Sequence, residues 1–266
     1  MSKLTVESEN LVALAEAIRQ KTGKTEKIEF PNGFETEIGE VYETGKKSEY
    51  DRFWDSFQNY GERKEYARTF AGSGWNPETF KPKYDINVVG SAEAMFAGWS
   101  NYDADITEIL KQCGVKLDTS KATNFYQFTI YGSPVRLPTI DTRGAKNINS
   151  ICYNSSVKTI DKLILKDDGS QTFSNVFYQS SLVEIRIEGV IGQNGFNVQW
   201  STKLSHDSIV SIINALSSTT SGLTVTLSKV AVDNAFKTST GLADGSTSEE
   251  WATLIATKSN WTISLA

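Results

Sequence analysis

The chain reads as an α/β protein: a short solenoid of stacked units, with a small N-terminal helical module before it and a C-terminal helix/strand cap after it. Three observations predict this. Phe70-Ala71-Gly72-Ser73 returns as Phe96-Ala97-Gly98-Trp99 after 26 residues, and Ile151-Cys152-Tyr153-Asn154-Ser155-Ser156-Val157 returns as Val176-Phe177-Tyr178-Gln179-Ser180-Ser181-Leu182 after 25. Short apolar alternations of strand type follow the later copies. Helical patterns that begin at capping serines flank the repeats on both sides.

The N-terminal module spans residues 1–44. Leu11, Leu14, Ala15 and Ile18 recur on one helical face, Ser8 is placed to cap its start, and Gly23 is placed to end it. Ile28 and Phe30 alternate. The turn signal Pro31-Asn32-Gly33 then leads to a second apolar pattern at Phe34, Ile38 and Val41. After the polar break Thr44-Gly45-Lys46-Lys47, Ser48 and Asp51 resemble a capping box with a shortened acid. Tyr50, Phe53, Trp54 and Phe57 line one face of the helix that follows, and an aromatic stripe at this spacing is expected to be packing rather than a ligand site.

The repeats occupy 45–203, with this helix as their N-cap. Phe125-Tyr126-Gln127, followed by Tyr131, completes a series of about five units whose expected anchors are Phe70, Phe96, Tyr126, Cys152 and Phe177. Val135, Leu137 and Ile140, then Ile160, Leu163 and Leu165, then Val183, Ile185 and Ile187 form the strand-like runs. A single unit cannot bury its own apolar face, so the units must stack on one another. The cap, 204–266, is expected to start a helix at Ser205 and Asp207 with Ile209, Ile212, Ile213 and Leu216 inward. A strand through Leu223, Val225 and Leu227 follows, then a helix from Ser248 carrying Trp251, Leu254 and Ile255, then a strand through Trp261, Ile263 and Leu265.

The segment Leu14-Ala15-Glu16-Ala17-Ile18-Arg19-Gln20-Lys21-Thr22-Gly23-Lys24-Thr25, followed by Ile28-Glu29-Phe30-Pro31-Asn32-Gly33-Phe34, resembles the N-terminal module of many tail and fibre proteins of phages and prophages of Gram-positive bacteria. From Gly45 to Gly192 the chain is similar to leucine-rich repeats of the bacterial surface-protein type, with their Phe anchor, small-residue corner and Leu-x-x-Ile-x-Ile run. Leu204-Ser205-His206-Asp207-Ser208-Ile209, with Ile212-Ile213-Asn214-Ala215-Leu216, resembles the closing segment that follows such repeats in phage-associated proteins. The chain departs from the pattern between Ser120 and Ile140, where the repeat is irregular, and at Asp105 to Lys111, where a charged helix intervenes.

Composition narrows the function further. A net charge of −5 argues against nucleic acid as the main partner, because phosphate binding needs a basic face. No apolar run is long enough to span a membrane, and Met1 to Asn10 lacks signal-peptide character, so synthesis and assembly in the cytoplasm are expected. Cys113 and Cys152 have no metal-ligand or disulfide spacing and are expected to be buried thiols.

Catalytic parts are hard to assemble from these residues. His206 is the one histidine; beside Asp207 it could be written into a Ser-His-Asp triad, but adjacent residues at a helix start are expected to point apart, and no Gly-x-Ser-x-Gly elbow exists. Asp103 with Asp105, and Asp167 with Asp168, fall in polar corners that suit turns better than acid pairs or a calcium loop. No phosphate-cradling loop is present. The expectation is therefore a protein that is not an enzyme, with no catalytic residues, no cofactor and no metal.

Binding remains. Tyr153 and Tyr178 follow their anchors at equivalent places and should lie at similar height on one surface, with Tyr126 as a third candidate. Such tyrosines can grip a glycan or a protein, although half-buried repeat residues would give the same pattern, and Ala71 and Ala97 interrupt the strip in earlier units. The resemblance implies a structural or receptor-binding part of a phage tail or prophage-derived particle, located in the virion. Its implied partners are other tail proteins through the N-terminal module and a host cell-surface protein or glycan, with trimeric assembly expected by analogy. A bacterial surface adhesion module is the alternative; the absence of a signal peptide favours the particle. A tail-associated hydrolase would need a cleft with a perturbed acid pair.

Overall fold

The computed structural model describes residues 15–21, 49–55, 63–99, 103–238 and 244–266. The chain divides into two compact units, Met1–Phe57 and Gln58–Ala266. In the first, residues 15–21 (α1) and 49–55 (α2) are helical. Ile18 on α1 and Trp54 on α2 are buried, and Phe53 meets Trp54 edge-on with ring centroids 5.1 Å apart. Ser8, Leu11, Leu14, Gly23, the Ile28 and Phe30 pair, the Pro-Asn-Gly turn, Ser48 and Phe57 lie outside the described residues.

The second unit combines short helices with short strands that pair in parallel, and no sheet closes on itself. Strands β1 (Arg63–Glu65), β2 (Ile86–Ser91) and β3 (Leu117–Asp118) form one sheet, and β4 (Arg136–Asp141), β5 (Thr159–Ile164) and β6 (Glu184–Glu188) another. A last pair joins β7 (Leu223–Leu227) to β8 (Trp261–Leu265). The helices are α3 (Ile106–Cys113), α4 (His206–Ala215), α5 (Lys229–Ala235) and α6 (Glu249–Ala256).

Strict alternation in the second sheet holds along β6; in β4 and β5 the buried apolar residues stand three apart, and the β5–β6 register shifts between Ile160 and Leu163. Leu137 and Ile140, Ile160 and Leu163, and Ile185 and Ile187 are buried, whereas Arg136, Glu184, Arg186 and Glu188 face out. Arg136 is in register with Thr159, and Thr159 with Glu184, so successive strands are 23 and then 25 residues apart.

A second line of contact runs through the turns before these strands. Phe70 N–H donates to Met95 O (3.1 Å), Phe96 to Phe128 O (3.0 Å), Thr129 to Ile151 O (3.0 Å) and Cys152 to Val176 O (2.9 Å). This pairing aligns Phe70, Phe96, Thr129, Cys152 and Phe177. Two residues before each of these, the backbone is left-handed: Arg68, Ala94, Gln127, Ser150 and Asn175 have φ between 49° and 56°. Two residues after, it is left-handed again, at Gly72, Gly98, Tyr131, Asn154 and Gln179. The alternation lets every second N–H reach the next unit while those between close local turns, such as Thr69 N–H to Tyr66 O (3.0 Å) and Ala71 N–H to Arg68 O (3.1 Å). Non-glycine residues adopt this conformation at a cost that the inter-unit hydrogen bonds must offset.

The register corrects one expected anchor. Thr129, not Tyr126, stands in line with Phe96 and Cys152, and the Tyr126 side chain is 44% exposed. The reason is the longer unit: 33 residues separate Phe96 from Thr129, and the extra length holds α3. Phe125 and Phe128 fill the core on either side of Tyr126, with Phe128 5.3 Å from Phe96. The Thr129 hydroxyl is satisfied by Ile151 O (3.3 Å) and Ser155 Oγ (3.1 Å).

Elsewhere the core is aromatic at its start and mixed toward its end. Phe70 and Phe96 stack at 5.7 Å, and the Trp99 indole N–H donates to Phe70 O at 2.7 Å. Phe196 packs edge-on to Phe173 (5.5 Å) and Phe177 (5.6 Å). Close approach of neighbouring backbones demands glycine at Gly189, where φ is +92° and a Cβ would sit 2.3 Å from Leu165 O.

Helix α4 covers the outer edge of β6. Its buried face carries Ile209, Ile212 and Ile213, and Ser205 caps its start. Ser208 Oγ accepts from Ile185 N–H at 2.9 Å and Ser211 Oγ from Ile187 N–H at 2.8 Å, so hydroxyls replace the strand that would otherwise pair there. Ser248 caps α6 as its position predicts, and Trp261 at the start of β8 donates its indole N–H to Ser217 O at 2.8 Å.

Candidate binding face

Tyr153 and Tyr178 each follow an aligned anchor, so the inter-unit pairing sets them side by side. Their rings are nearly parallel, 16° apart, with centroids at 5.1 Å. Trp200 continues the row, its ring 5.7 Å from that of Tyr178 and inclined by 67°, and it is 45% exposed. Tyr153 and Tyr178 are half-buried, each ring having one face against the other. Tyr126 stands apart from this row by the register argument above.

Trp200 escaped the sequence comparison although a signal was present. Asn175-Val176-Phe177-Tyr178 returns as Asn197-Val198-Gln199-Trp200, but after 22 residues rather than 25 and with the anchor replaced by Gln199. The neighbouring Phe196 packs on Phe177 in place of that anchor.

Beside the row lies a groove of about 480 Å³ with Tyr178 on one side and Thr224 and Thr226 of β7 on the other. Phe173 and Phe196, both buried, also line it, together with Asn175, Asn194 and Asn197. Outward Thr224 and Thr226 alternate with inward Val225 and Leu227, as the strand period requires. Asn194 Oδ1 accepts from Thr224 N–H (2.7 Å) and Asn197 Oδ1 from Gln199 N–H (2.9 Å). These bonds fix which end of each amide carries the oxygen and leave the two NH₂ groups as donors.

A larger groove, about 720 Å³, runs between the outer face of β5 and β6 and helix α4. Its carboxylates are already engaged: Asp161 by Arg136 (2.8 Å) and Thr107 (2.9 Å), Glu184 by Ser205 (2.6 Å) and Ser208 (3.2 Å), and Asp207 by His206 (3.2 Å).

Contrary to expectation, His206 and Asp207 do meet. Nδ1 lies 3.2 Å from Asp207 Oδ1 and Nε2 lies 2.8 Å from Glu250 Oε1, while the ring packs 4.6 Å from Phe236. At the first turn of α4 both side chains lie ahead of the helix and can turn toward each other, and Glu250 of α6 holds the imidazole from the far side. Burial alone would lower the imidazole pKa, but the hydrogen bonds to Asp207 and Glu250 outweigh it and raise the pKa above its usual value. Both ring nitrogens face carboxylates, which leaves none for a serine.

One acid of each pair accepts a local backbone hydrogen bond. Asp105 accepts from Glu108 N–H (2.9 Å) as the N-cap of α3, and Asp168 accepts from Ser170 N–H (2.9 Å) in its turn. Cys152 is fully buried, and burial pushes its thiol up to about 12. Cys113 is half-buried at the end of α3, not fully buried as expected, because that last turn faces solvent. Among the described residues, no cluster of three or more His, Cys, Asp or Glu is placed to hold a metal.

Compared with known proteins, the chain matches no family model, no curated protein and no solved structure. Its functional reading rests on its own residues.

Proposed function

We propose that this chain is a non-enzymatic structural or receptor-binding component of a phage tail or prophage-derived particle, and that its repeats form a leucine-rich-repeat-like solenoid. The row of Tyr153, Tyr178 and Trp200 beside an open groove carries the receptor-binding part. Aromatic rings lined up on successive units give a contact surface that loses little side-chain entropy on binding. Parallel pairing of units through two lines of hydrogen bonds supports the solenoid. The engagement of both His206 nitrogens by acids supports a role without catalysis. The resemblance of residues 14–34 to tail-protein modules supports the particle and docking to other tail proteins through the N-terminal part.

The test is saturable binding of the labelled full chain to intact Gram-positive cells and isolated cell walls, beside a Tyr178→Ala, Trp200→Ala double variant. Binding that the double variant weakens is the expected result. Equal binding by both, or by neither, would remove the receptor-binding role from this face.

A further inference from the structure

We infer that the groove beside Tyr178 is a binding site for an uncharged glycan. This rests on the receptor-binding reading and names the ligand class for the same face. Charged residues make up 22% of the chain, yet among the described residues none of them lines this groove. An anionic or cationic ligand would lose hydration there and meet no opposite charge. What the groove offers is amides and hydroxyls beside the half-buried Tyr178 ring, the set of groups that matches a ligand bearing many hydroxyls on an apolar ring.

The polar groups are held in place before any ligand arrives. Asn194 and Asn197 have their carbonyl oxygens tied to Thr224 N–H and Gln199 N–H, so their NH₂ donors are oriented at little further entropic cost. Asn175 is exposed and set by its left-handed backbone, φ 51°. Thr224 and Thr226 add hydroxyls that both donate and accept, as sugar hydroxyls do. The volume, about 480 Å³, lies within the roughly 300–1,000 Å³ typical of small-ligand sites. An extended peptide is less well suited. It would need an open strand edge, and β7 is paired with β8 along one side and, at Thr226, with Phe196 and Val198 on the other.

The experiment titrates the full chain by calorimetry and saturation-transfer NMR with neutral oligosaccharides built on glucose, galactose and N-acetylglucosamine, beside an oligouronate and a glycerol-phosphate polymer. Asn175→Gly keeps the left-handed backbone and removes the amide; Thr224→Val keeps the strand and removes the hydroxyl; Tyr126→Ala tests a tyrosine outside the groove. Expected are saturable binding of at least one neutral oligosaccharide, a loss of about tenfold in affinity for each groove variant at unchanged Tm, and no change for Tyr126→Ala. Binding of the charged polymers alone, or binding that the groove variants leave intact, overturns the inference. If no oligosaccharide binds while the chain still binds cell walls, and protease but not periodate treatment of the walls abolishes it, the glycan assignment falls and receptor binding stands. If walls and oligosaccharides are both ignored, both readings fall.

Discussion

Replacing Ser208 with alanine isolates the contribution of the helix that closes the sheet edge. Ser208 is 1% exposed, and its Oγ accepts from Ile185 N–H at 2.9 Å while lying 2.8 Å from Ser205 Oγ and 3.2 Å from Glu184. Alanine at this position leaves the Ile185 N–H buried under α4 with no acceptor. An unsatisfied buried donor costs about 1–3 kcal/mol, and the better helix propensity of alanine returns at most about 0.5 kcal/mol. The net loss is thus about 0.5–3 kcal/mol, or roughly 1–12 °C in the Tm of a unit this size. Ser211→Ala is the internal comparison. Ser211 is only half-buried, so water can reach Ile187 N–H after the hydroxyl is gone, and the loss should stay below about 1 kcal/mol. Urea unfolding followed by tryptophan fluorescence measures both, with the midpoint falling at unchanged slope. Amide exchange at Ile185 should accelerate in the Ser208 variant alone. Equal losses for the two serines, or no loss for Ser208, would refute the argument that these hydroxyls stand in for a strand.

Phe177→Ala empties an aligned core position between Val176 and Phe196, and a loss of about 3–5 kcal/mol in urea unfolding is expected; under 1 kcal/mol would mean that the site collapses around the void. Thr129→Val keeps the shape and removes one hydrogen bond while Ser155 keeps Ser133 and Val157 as partners, at a cost of about 0.5–1.5 kcal/mol, whereas Tyr126→Ser should fall within about 0.5 kcal/mol of the parent. Cys113 should react with a thiol reagent in the folded protein and Cys152 only on unfolding, read by mass spectrometry against denaturant. The His206 pKa is raised in the folded state, so its pairing with Glu250 and Asp207 contributes fully below pH about 6.5 and is lost as pH rises through the folded-state value; at 39% exposure the effect is small, and His206→Gln should abolish that slope in Tm against pH.

Much of the second unit was legible because short apolar runs mark its strands and several of its helices begin at side-chain caps. Ile185 and Ile187 follow strict alternation, Leu137 and Ile160 fall in apolar runs, and Ser205 and Ser248 marked their helices by position. Tyr126 misled because α3 lengthens its segment, and the register depends on a left-handed backbone at Gln127 and Tyr131 that no residue type announces. The groove was illegible for a different reason. It is lined by Asn175, Asn197 and Thr224, which are far apart in sequence and meet only when the chain is folded. His206 met Asp207 because Glu250, from another helix, fixes the ring from the opposite side, a tertiary contact that helix geometry does not contain.

The unequal spacing of the aligned positions has a practical consequence. Between Phe96 and Thr129 the chain takes a detour through a whole helix, yet both flanking left-handed residues and the hydrogen bonds across them keep the pattern of the shorter units. Length is therefore free to vary between the fixed columns, since lengthening a surface connection costs little entropy. The turn at Gly114, which ends α3 with φ +70° and has open space around it, is the natural port for grafting an epitope or a fluorophore-bearing peptide while the rest of the scaffold keeps its register.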